Sequence, residues 1–252
     1  MASRFRDRCA FLAGDAAHIW VPYAGYGMNA GIADATNLSW LLAAHLNGWA
    51  PASILDAYEA ERGPITDQVS RFAMSHAEAE IRRRGAVPEE IEEESVRGEH
   101  ARQTTGRLTY EINVQQYACA GLNFGTYYDR SPIIAHDGGN HPSYTMSNYT
   151  PSTVPGCRVP HLWCADGRSL YDAMGPEFTL LRFDSTTQVA ALELAARERG
   201  VPLKVLDLER PEAACFRDAL LLSRPDQHVA WRGDRLPADP LALIDRVRGA
   251  CR

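Results

Sequence analysis

The sequence predicts a mixed helix-and-sheet protein of the α/β (α+β) class, and three observations lead to this class. Residues 1–116 contain a short apolar segment, a glycine-rich loop and long stretches with helical spacing. Residues 156–252 alternate apolar strand-like segments with amphipathic helices. Between them, residues 117–155 form a connector rich in tyrosine, glycine and proline, a composition typical of a long loop or arm.

The most informative segment begins with an apolar run at residues 9–13, which predicts a short buried strand that ends at Gly14 and Asp15. A glycine-rich loop follows, and a helical pattern begins near Gly31. A carboxylate accepts hydrogen bonds from sugar-like hydroxyls, glycines let backbone N–H groups approach a ligand closely, and a helix start favours negative charge. This order therefore predicts a site for a large polar cofactor.

Helical spacing continues beyond this loop. The first helix should end at Gly48, and residues 52–116 should be mostly helical. Pro64 is expected to bend or break the second helix. A further break at Gly85 should precede a charged helix over residues 88–97. The residues expected to form the buried face of the first helix are Ile32, Ala35, Leu38, Leu41, Leu42 and Leu46.

The last third of the chain predicts a small sheet-and-helix unit, separate from the first part. Apolar segments predict strands, amphipathic segments predict helices, and a turn at Pro225-Asp226 predicts a hairpin. The predicted strands are residues 178–183, 201–208, 219–222 and 228–231, and the predicted helices are residues 187–199 and 240–247. This order, which we write βαββα, fits a thioredoxin-like fold.

Composition narrows the function. A formal net charge of −6 without a basic stripe argues against nucleic-acid binding. No apolar segment reaches the roughly 18 residues that span a bilayer, and no signal-peptide pattern opens the chain, so we predict a cytoplasmic protein without membrane contact. The six cysteines form no C-x-x-C pair and lack the spacing of zinc ligands, so no metal site is predicted.

Two sets of residues carry a family resemblance. The run Gly14-Asp15-Ala16-Ala17-His18, then Pro22 and Gly25-x-Gly27-Met28-Asn29, resembles the second flavin-binding motif of the FAD-dependent aromatic hydroxylases. The run Arg224-Pro225-Asp226-x-His228 resembles the C-terminal domain of the branch that acts on phenols, chlorophenols and polycyclic polyketide aromatics. The resemblance implies FAD as cofactor, NAD(P)H and O2 as co-substrates, and hydroxylation of a phenolic or polycyclic aromatic substrate.

The same resemblance implies which residues bind the cofactor, namely Gly14, Asp15, Pro22, Gly25, Gly27, Met28 and Asn29. Asp15 would accept hydrogen bonds from the ribityl hydroxyls, although it could instead cap the following turn. His18 could contact the flavin or be a structural histidine. Asp34 and Asn37 are expected to organise the helix start. An Asp15 that faces bulk solvent would count against the flavin interpretation, and no catalytic residue is identified.

Two features of the family are missing from the sequence. No G-x-G-x-x-G turn stands in a βαβ context to hold the FAD pyrophosphate, and the segment that forms the floor of the substrate pocket is absent. Two hypotheses follow. Either the chain is the C-terminal part of a hydroxylase, or it is a non-catalytic truncated protein whose thioredoxin-like domain mediates dimerisation or partner binding. A partner chain carrying the missing FAD half would restore the first, and the resemblance implies a homodimer.

Overall fold

The computed structural model describes residues 1–20, 22 and 25–250. Long helices fill the first half of the chain, and a four-stranded sheet forms in the second half. The helices are α1 Tyr26–Leu46, α2 Asp56–Arg84, α3 Val96–Tyr117, α4 Ala120–Phe124, α5 Leu170–Met174, α6 Ala190–Glu198 and α7 Pro240–Val247. The strands are β1 Arg6–Asp7, β2 Ala10–Phe11, β3 Phe178–Arg182, β4 Leu203–Asp207, β5 Leu220–Ser223 and β6 Val229–Gly233. The predicted α/β class is confirmed.

The segment before the glycine turn forms a small ribbon, and the prediction of a buried strand at residues 9–13 is wrong. Strand β2 pairs with β1 in antiparallel register, with Arg6 opposite Phe11. Cys9, Ala10 and Leu12 are exposed. Among the described residues β2 has no other strand beside it, so most of its surface stays uncovered.

Helix α1 begins at Tyr26, five residues earlier than predicted, directly after Gly25 with φ of +70°. It ends before Gly48, whose φ of +81° confirms the predicted terminator. The predicted buried face is half right: Leu41 is buried and Leu38 and Leu42 pack half-buried on the core, whereas Ile32, Ala35 and Leu46 are exposed. The helix is rotated so that polar side chains point inward. Its buried residues are Tyr26, Ala30, Asp34, Asn37, Trp40, Leu41 and Ala44.

Of the predicted bend or break at Pro64, the break does not occur, because helix α2 continues through Pro64 over its 29 residues. Proline removes one backbone hydrogen bond, but Glu61 and Arg62 before it and Ile65 after it are all buried and held by contacts elsewhere.

The charged helix predicted at residues 88–97 is also wrong. Glu89–Glu92 is a single 3-10 turn, and the next helix, α3, starts at Val96. The start is fixed by Ser95, whose hydroxyl accepts a hydrogen bond from the N–H of Gly98 at 3.1 Å.

The main sheet has the strand order β4-β3-β5-β6. Strands β3 and β4 are parallel and are joined by α6, whereas β5 and β6 form an antiparallel hairpin followed by α7. From β3 onward the element order is therefore βαβββα. It contains one strand more than the label βαββα, because the hairpin contributes two strands, and it retains the arrangement expected of a thioredoxin-like unit.

One hydrophobic core joins the sheet to the long helices. The ring of Phe178 on β3 meets Trp40 edge-on at 6.2 Å and Trp49 at 6.0 Å. Leu41 of α1 and Ile244 of α7 belong to the same buried cluster. The division of the chain into domains at residues 1–116, 117–155 and 156–252 stays a prediction.

Candidate functional site

The glycine turn at Gly14–Ala16 packs directly on α1. A methyl group on Gly31 would lie 3.2 Å from the Cα of Gly14, which is closer than side chains normally approach backbone. Gly14 itself has φ of +57°, a conformation that favours glycine. The N–H of Gly14 donates to the Oδ2 of Asp34 at 3.1 Å. The turn and the helix are thus held in fixed register.

The first turn of α1 presents its backbone outward. No side chain caps this end of the helix, and the side-chain amide of Asn29 donates instead to the carbonyl of Gly25 at 2.9 Å. Gly27 has open space where a Cβ would stand. Met28 is 71% exposed, so its side chain does not fill the core. The first N–H groups of the helix therefore have hydrogen-bonding capacity left for a ligand.

The seven predicted cofactor residues fall into two neighbouring groups. Gly14 and Asp15 lie in the 3-10 turn, and Gly25, Gly27, Met28 and Asn29 form the exposed start of α1. Pro22 is exposed between them, and the rest of its loop, Val21, Tyr23 and Ala24, lies outside the described residues.

Asp15 is exposed, which is the outcome that we expected to count against a flavin role. Its carboxylate accepts no hydrogen bond from the described residues, so it does not cap the turn either. The role of Asp15 in binding stays a prediction.

A buried ionic cluster lies beneath this surface, and we call it the Asp34 cluster. The Asp34 carboxylate is fully buried and accepts hydrogen bonds from Nε2 of His18 at 2.7 Å, Nε of Arg62 at 2.8 Å and the N–H of Gly14. Bonds that involve a charged group are stronger than neutral ones. His18 also stacks on Trp20 at 4.6 Å, which favours its structural interpretation.

A second buried group, which we call the Arg224 cluster, comprises Asn37, Glu61, Ser131, Arg224 and Asp226. The Arg224 guanidinium donates to Oε1 and Oε2 of Glu61 at 2.5 and 2.8 Å, and to Oδ2 of Asp226 at 2.6 Å. Glu61 also accepts hydrogen bonds from Ser131 at 2.5 Å and from Asn37 at 2.7 Å. This cluster connects α1, α2, the connector and the β5–β6 turn.

Burial and charge act in opposite directions on the ionisable groups of the Arg224 cluster. Burial by itself would raise the pKa of Asp226, but Arg224 and His228 lower it well below its usual range. Burial by itself would lower the pKa of Arg224, but Asp226 and Glu61 raise it. The neighbouring Tyr128 ring lies 5.3 Å from the guanidinium, and burial raises the pKa of its hydroxyl to about 12. Asp226 and Arg224 are thus held in their charged forms.

The sequence alone does not indicate either cluster. It predicts that Asp34 and Asn37 organise the helix start, and Arg224 and Asp226 are noted only for a family resemblance. Arg224 and Glu61 are 163 positions apart, so no local pattern connects them. One feature of the sequence does indicate buried charges: Glu61 and Arg62 of α2 interrupt an otherwise apolar stripe.

Two further findings concern metals and membranes. Within the part of the chain that the structure describes, no three His, Cys, Asp or Glu side chains are grouped as a metal site would need. None of the helices described there combines the length and the apolar character required to cross a membrane.

Two family models match the chain, one over the glycine turn and α1 and the other over the four-stranded sheet. Residues 1–73 match the FAD binding domain family, and residues 152–250 match the aromatic-ring hydroxylase C-terminal family. Together these matches cover more than half of the chain. These two segments belong to the family of FAD-dependent aromatic-ring hydroxylases.

Individual relatives agree with this family. The chain is 33% identical over 234 residues to the FAD-dependent monooxygenase opdD of Penicillium oxalicum, covering 89% of this chain and 44% of the relative. It is 34% identical over 280 residues to the phenol 2-monooxygenase of a Pseudomonas species, covering 95% and 45%. The solved structure of native and K252c-bound RebC-10x is 37% identical, with a TM-score of 0.90, covering 99% and 47%. The chain thus spans less than half the length of these relatives.

Proposed function

We propose that this chain forms one side of the FAD site of an aromatic hydroxylase. The residues assigned to that side are Gly14, Asp15, Pro22, Gly25, Gly27, Met28 and Asn29. The observation that carries the proposal is the exposed, uncapped start of α1, placed beside the Gly14–Ala16 turn by the contact between Gly14 and Gly31. The match of residues 1–73 to an FAD binding domain supports it.

The residues fit the cofactor in chemical type. The N–H groups at the start of α1 favour the electron-rich edge of a flavin, because a helix N-terminus carries partial positive charge. The open space at Gly27 lets a flat ring approach the backbone. The Asp15 carboxylate is of the chemical type that accepts hydrogen bonds from ribityl hydroxyls, but its exposure to solvent does not support that role. When bound, FAD takes electrons from NAD(P)H and uses O2 to hydroxylate an aromatic carbon.

We further propose that the substrate is a phenolic or polycyclic aromatic compound, as the phenol 2-monooxygenase among the relatives supports. We propose that hydroxylation also requires a turn that binds the FAD pyrophosphate, in addition to the seven residues assigned above. The 252 residues by themselves should bind FAD weakly and should not oxidise NAD(P)H. A homodimer in the cytoplasm is proposed by analogy with the family.

A glycine-to-alanine pair tests the cofactor site. Gly27→Ala places a methyl group in open space, so the fold should tolerate it, but the methyl should keep a flavin ring from the backbone. Gly106→Ala in α3 also adds a methyl in open space, far along the chain from the site, and is the matched control.

The measurement is FAD titration followed by flavin fluorescence, with thermal unfolding of the same samples. We expect Gly27→Ala to weaken FAD binding about tenfold and Gly106→Ala to leave it unchanged. Equal affinities for Gly27→Ala and the parent chain would contradict the assignment. A protein that is yellow as purified, at the expected intact mass, would contradict weak binding by this chain.

A further inference from the structure

The segment that carries the Gly14–Ala16 turn has little strand support of its own. Strands β1 and β2, which lead into the turn, are two residues long and pair only with each other among the described residues. An isolated two-stranded ribbon is marginally stable in water. The position of the turn must therefore be set by contacts with the rest of the chain.

Helix α2 supplies one such contact through Glu59, which holds β1. Its Oε2 accepts hydrogen bonds from the N–H groups of Phe5 at 2.7 Å and Arg6 at 3.1 Å. Phe5 is buried, so removal of the carboxylate would leave its N–H without an acceptor. A carboxylate also makes stronger hydrogen bonds than a neutral acceptor. Glu59 thus fixes the first strand of the ribbon on α2.

Tyr58 holds the other end of the ribbon. Its hydroxyl donates to the carbonyl of Leu12 at 2.7 Å, two residues before Gly14. Its ring is fully buried and lies against the rings of Phe5 and Phe11, with centroids 6.1 and 6.3 Å away. Tyr58 thus fixes the chain directly before the turn.

Arg62 reaches the turn itself through Asp34. The Nε of Arg62 donates to one oxygen of the Asp34 carboxylate, and the other oxygen accepts the N–H of Gly14. Residues three and four apart lie on the same face of a helix, so Tyr58, Glu59 and Arg62 share one side of α2. We call these three residues the α2 row.

We propose that the α2 row positions the Gly14–Ala16 turn for FAD, and that its members are positioning residues that do not touch the cofactor. This role rests on the FAD site proposed above, and none of the seven residues assigned to that site belongs to the row. A ligand binds only those molecules in which the turn is in place. Loosening the turn therefore lowers the apparent affinity in proportion to the fraction that remains competent.

A matched pair of tyrosine variants tests the row. Tyr58→Phe removes the hydroxyl and keeps the ring. Tyr171→Phe in α5 is the control, because its hydroxyl also donates to a backbone carbonyl at 2.7 Å, that of Val159. In a titration followed by flavin fluorescence, we expect FAD to bind about threefold more weakly to Tyr58→Phe and unchanged to Tyr171→Phe. Thermal unfolding of the same samples measures stability.

Glu59 allows a rescue experiment. Glu59→Met removes the acceptor of two N–H groups and should weaken FAD binding about tenfold. Glu59→Gln keeps an acceptor oxygen and should bind FAD within about twofold of the parent chain. If the row acted on stability alone, all variants that are folded at the titration temperature would bind FAD equally.

Amide hydrogen exchange gives a measurement without FAD. The N–H groups of Ala17 and His18 donate to the carbonyl of Gly14 at 2.9 Å, so their exchange reports opening of the turn. We expect exchange at least about tenfold faster in Tyr58→Phe and Glu59→Met, and unchanged in Tyr171→Phe. Exchange equal to that of the parent chain in both row variants would overturn the proposal.

Gly27→Ala separates the role of the row from the FAD site itself. If Gly27→Ala weakens FAD binding but Tyr58→Phe and Glu59→Met do not, the FAD site stands and the proposal for the row is overturned. If Gly27→Ala has no effect, the FAD site is wrong, and the cofactor role of the row is wrong with it. Equal losses in Glu59→Met and Glu59→Gln, or in Tyr58→Phe and Tyr171→Phe, would also overturn the proposal.

Discussion

The proposed FAD surface and the two buried clusters use polar groups in opposite ways. On the surface, the start of α1 is uncapped and Asp15 accepts no hydrogen bond from the described residues. In the clusters, Asp34 and Glu61 each accept bonds from three different residues and have no exposed side-chain area. The comparison shows that the buried charged side chains stabilise the fold. The groups left to bind a ligand are backbone N–H groups and the exposed carboxylate of Asp15.

The largest effect should come from the Arg224 cluster. Arg224→Met leaves Glu61 and Asp226 buried without their cation, so we expect a loss of about 3–5 kcal/mol in the free energy of unfolding. Urea unfolding measures it. Arg168→Met, at an exposed arginine paired with Asp166, is the control and should change stability by no more than about 0.5 kcal/mol. A loss below about 1 kcal/mol for Arg224→Met would show that the cluster is not as dry as its geometry indicates.

The contact between Gly14 and Gly31 should give the next largest effect. Gly31→Ala puts a methyl group 3.2 Å from backbone, so the turn or the helix must shift, at a cost of about 1–3 kcal/mol. The free energies of unfolding of Gly31→Ala and Gly106→Ala are compared. Both positions are helical, so alanine raises helix propensity in both, and only Gly31→Ala adds the steric contact with Gly14. Equal stability of the two variants would mean that the turn does not rest on the helix.

Acid should weaken the Arg224 cluster. Because the pKa of Asp226 is lower in the folded than in the unfolded chain, its contribution is fully present above the unfolded pKa of about 3.9 and is lost as pH falls below it. The expected slope is about 1.4 kcal/mol per pH unit from this group. Urea unfolding between pH 3 and pH 6 measures the slope, and Asp226→Asn should reduce it. A slope unaffected by Asp226→Asn would contradict this source of acid sensitivity.

The smallest stability effect is expected at Gly27. Alanine favours helix over glycine by up to about 1 kcal/mol, and the methyl meets nothing within 4 Å, so Gly27→Ala should leave unfolding unchanged or raise its free energy slightly. Thermal unfolding checks this. A marked loss of stability would mean that weakened FAD binding by the same variant reports a damaged fold.

Local pattern predicted the parts of the structure that local chemistry decides. The glycine turn, the end of α1 at Gly48 and the parallel βαβ unit with its hairpin all follow from residue types and short spacings. The inward face of α1 did not follow, because Asp34 and Asn37 are buried only when Arg62 and Glu61 of another helix meet them. Likewise the continuity of α2 through Pro64 depends on burial at either side, which the local sequence does not show.

For the candidate site, the resemblance supplied the residues and the structure supplied their arrangement. In the structure, Gly14 and Gly31 are in contact and the start of α1 is exposed. The exposure of Asp15 could not be predicted, because it depends on the few strands that flank the turn in this chain.

The most direct test of the central claim is to map FAD on the chain itself by backbone amide NMR. If the proposed FAD residues bind the flavin, FAD should shift the amides of Gly14, Asp15, Gly25, Gly27 and Met28, and the shifts should shrink in Gly27→Ala but not in Gly106→Ala. The account would be contradicted if the shifted amides all lay elsewhere in the chain. It would also be contradicted if these five amides did not shift at the highest FAD concentration that its solubility allows.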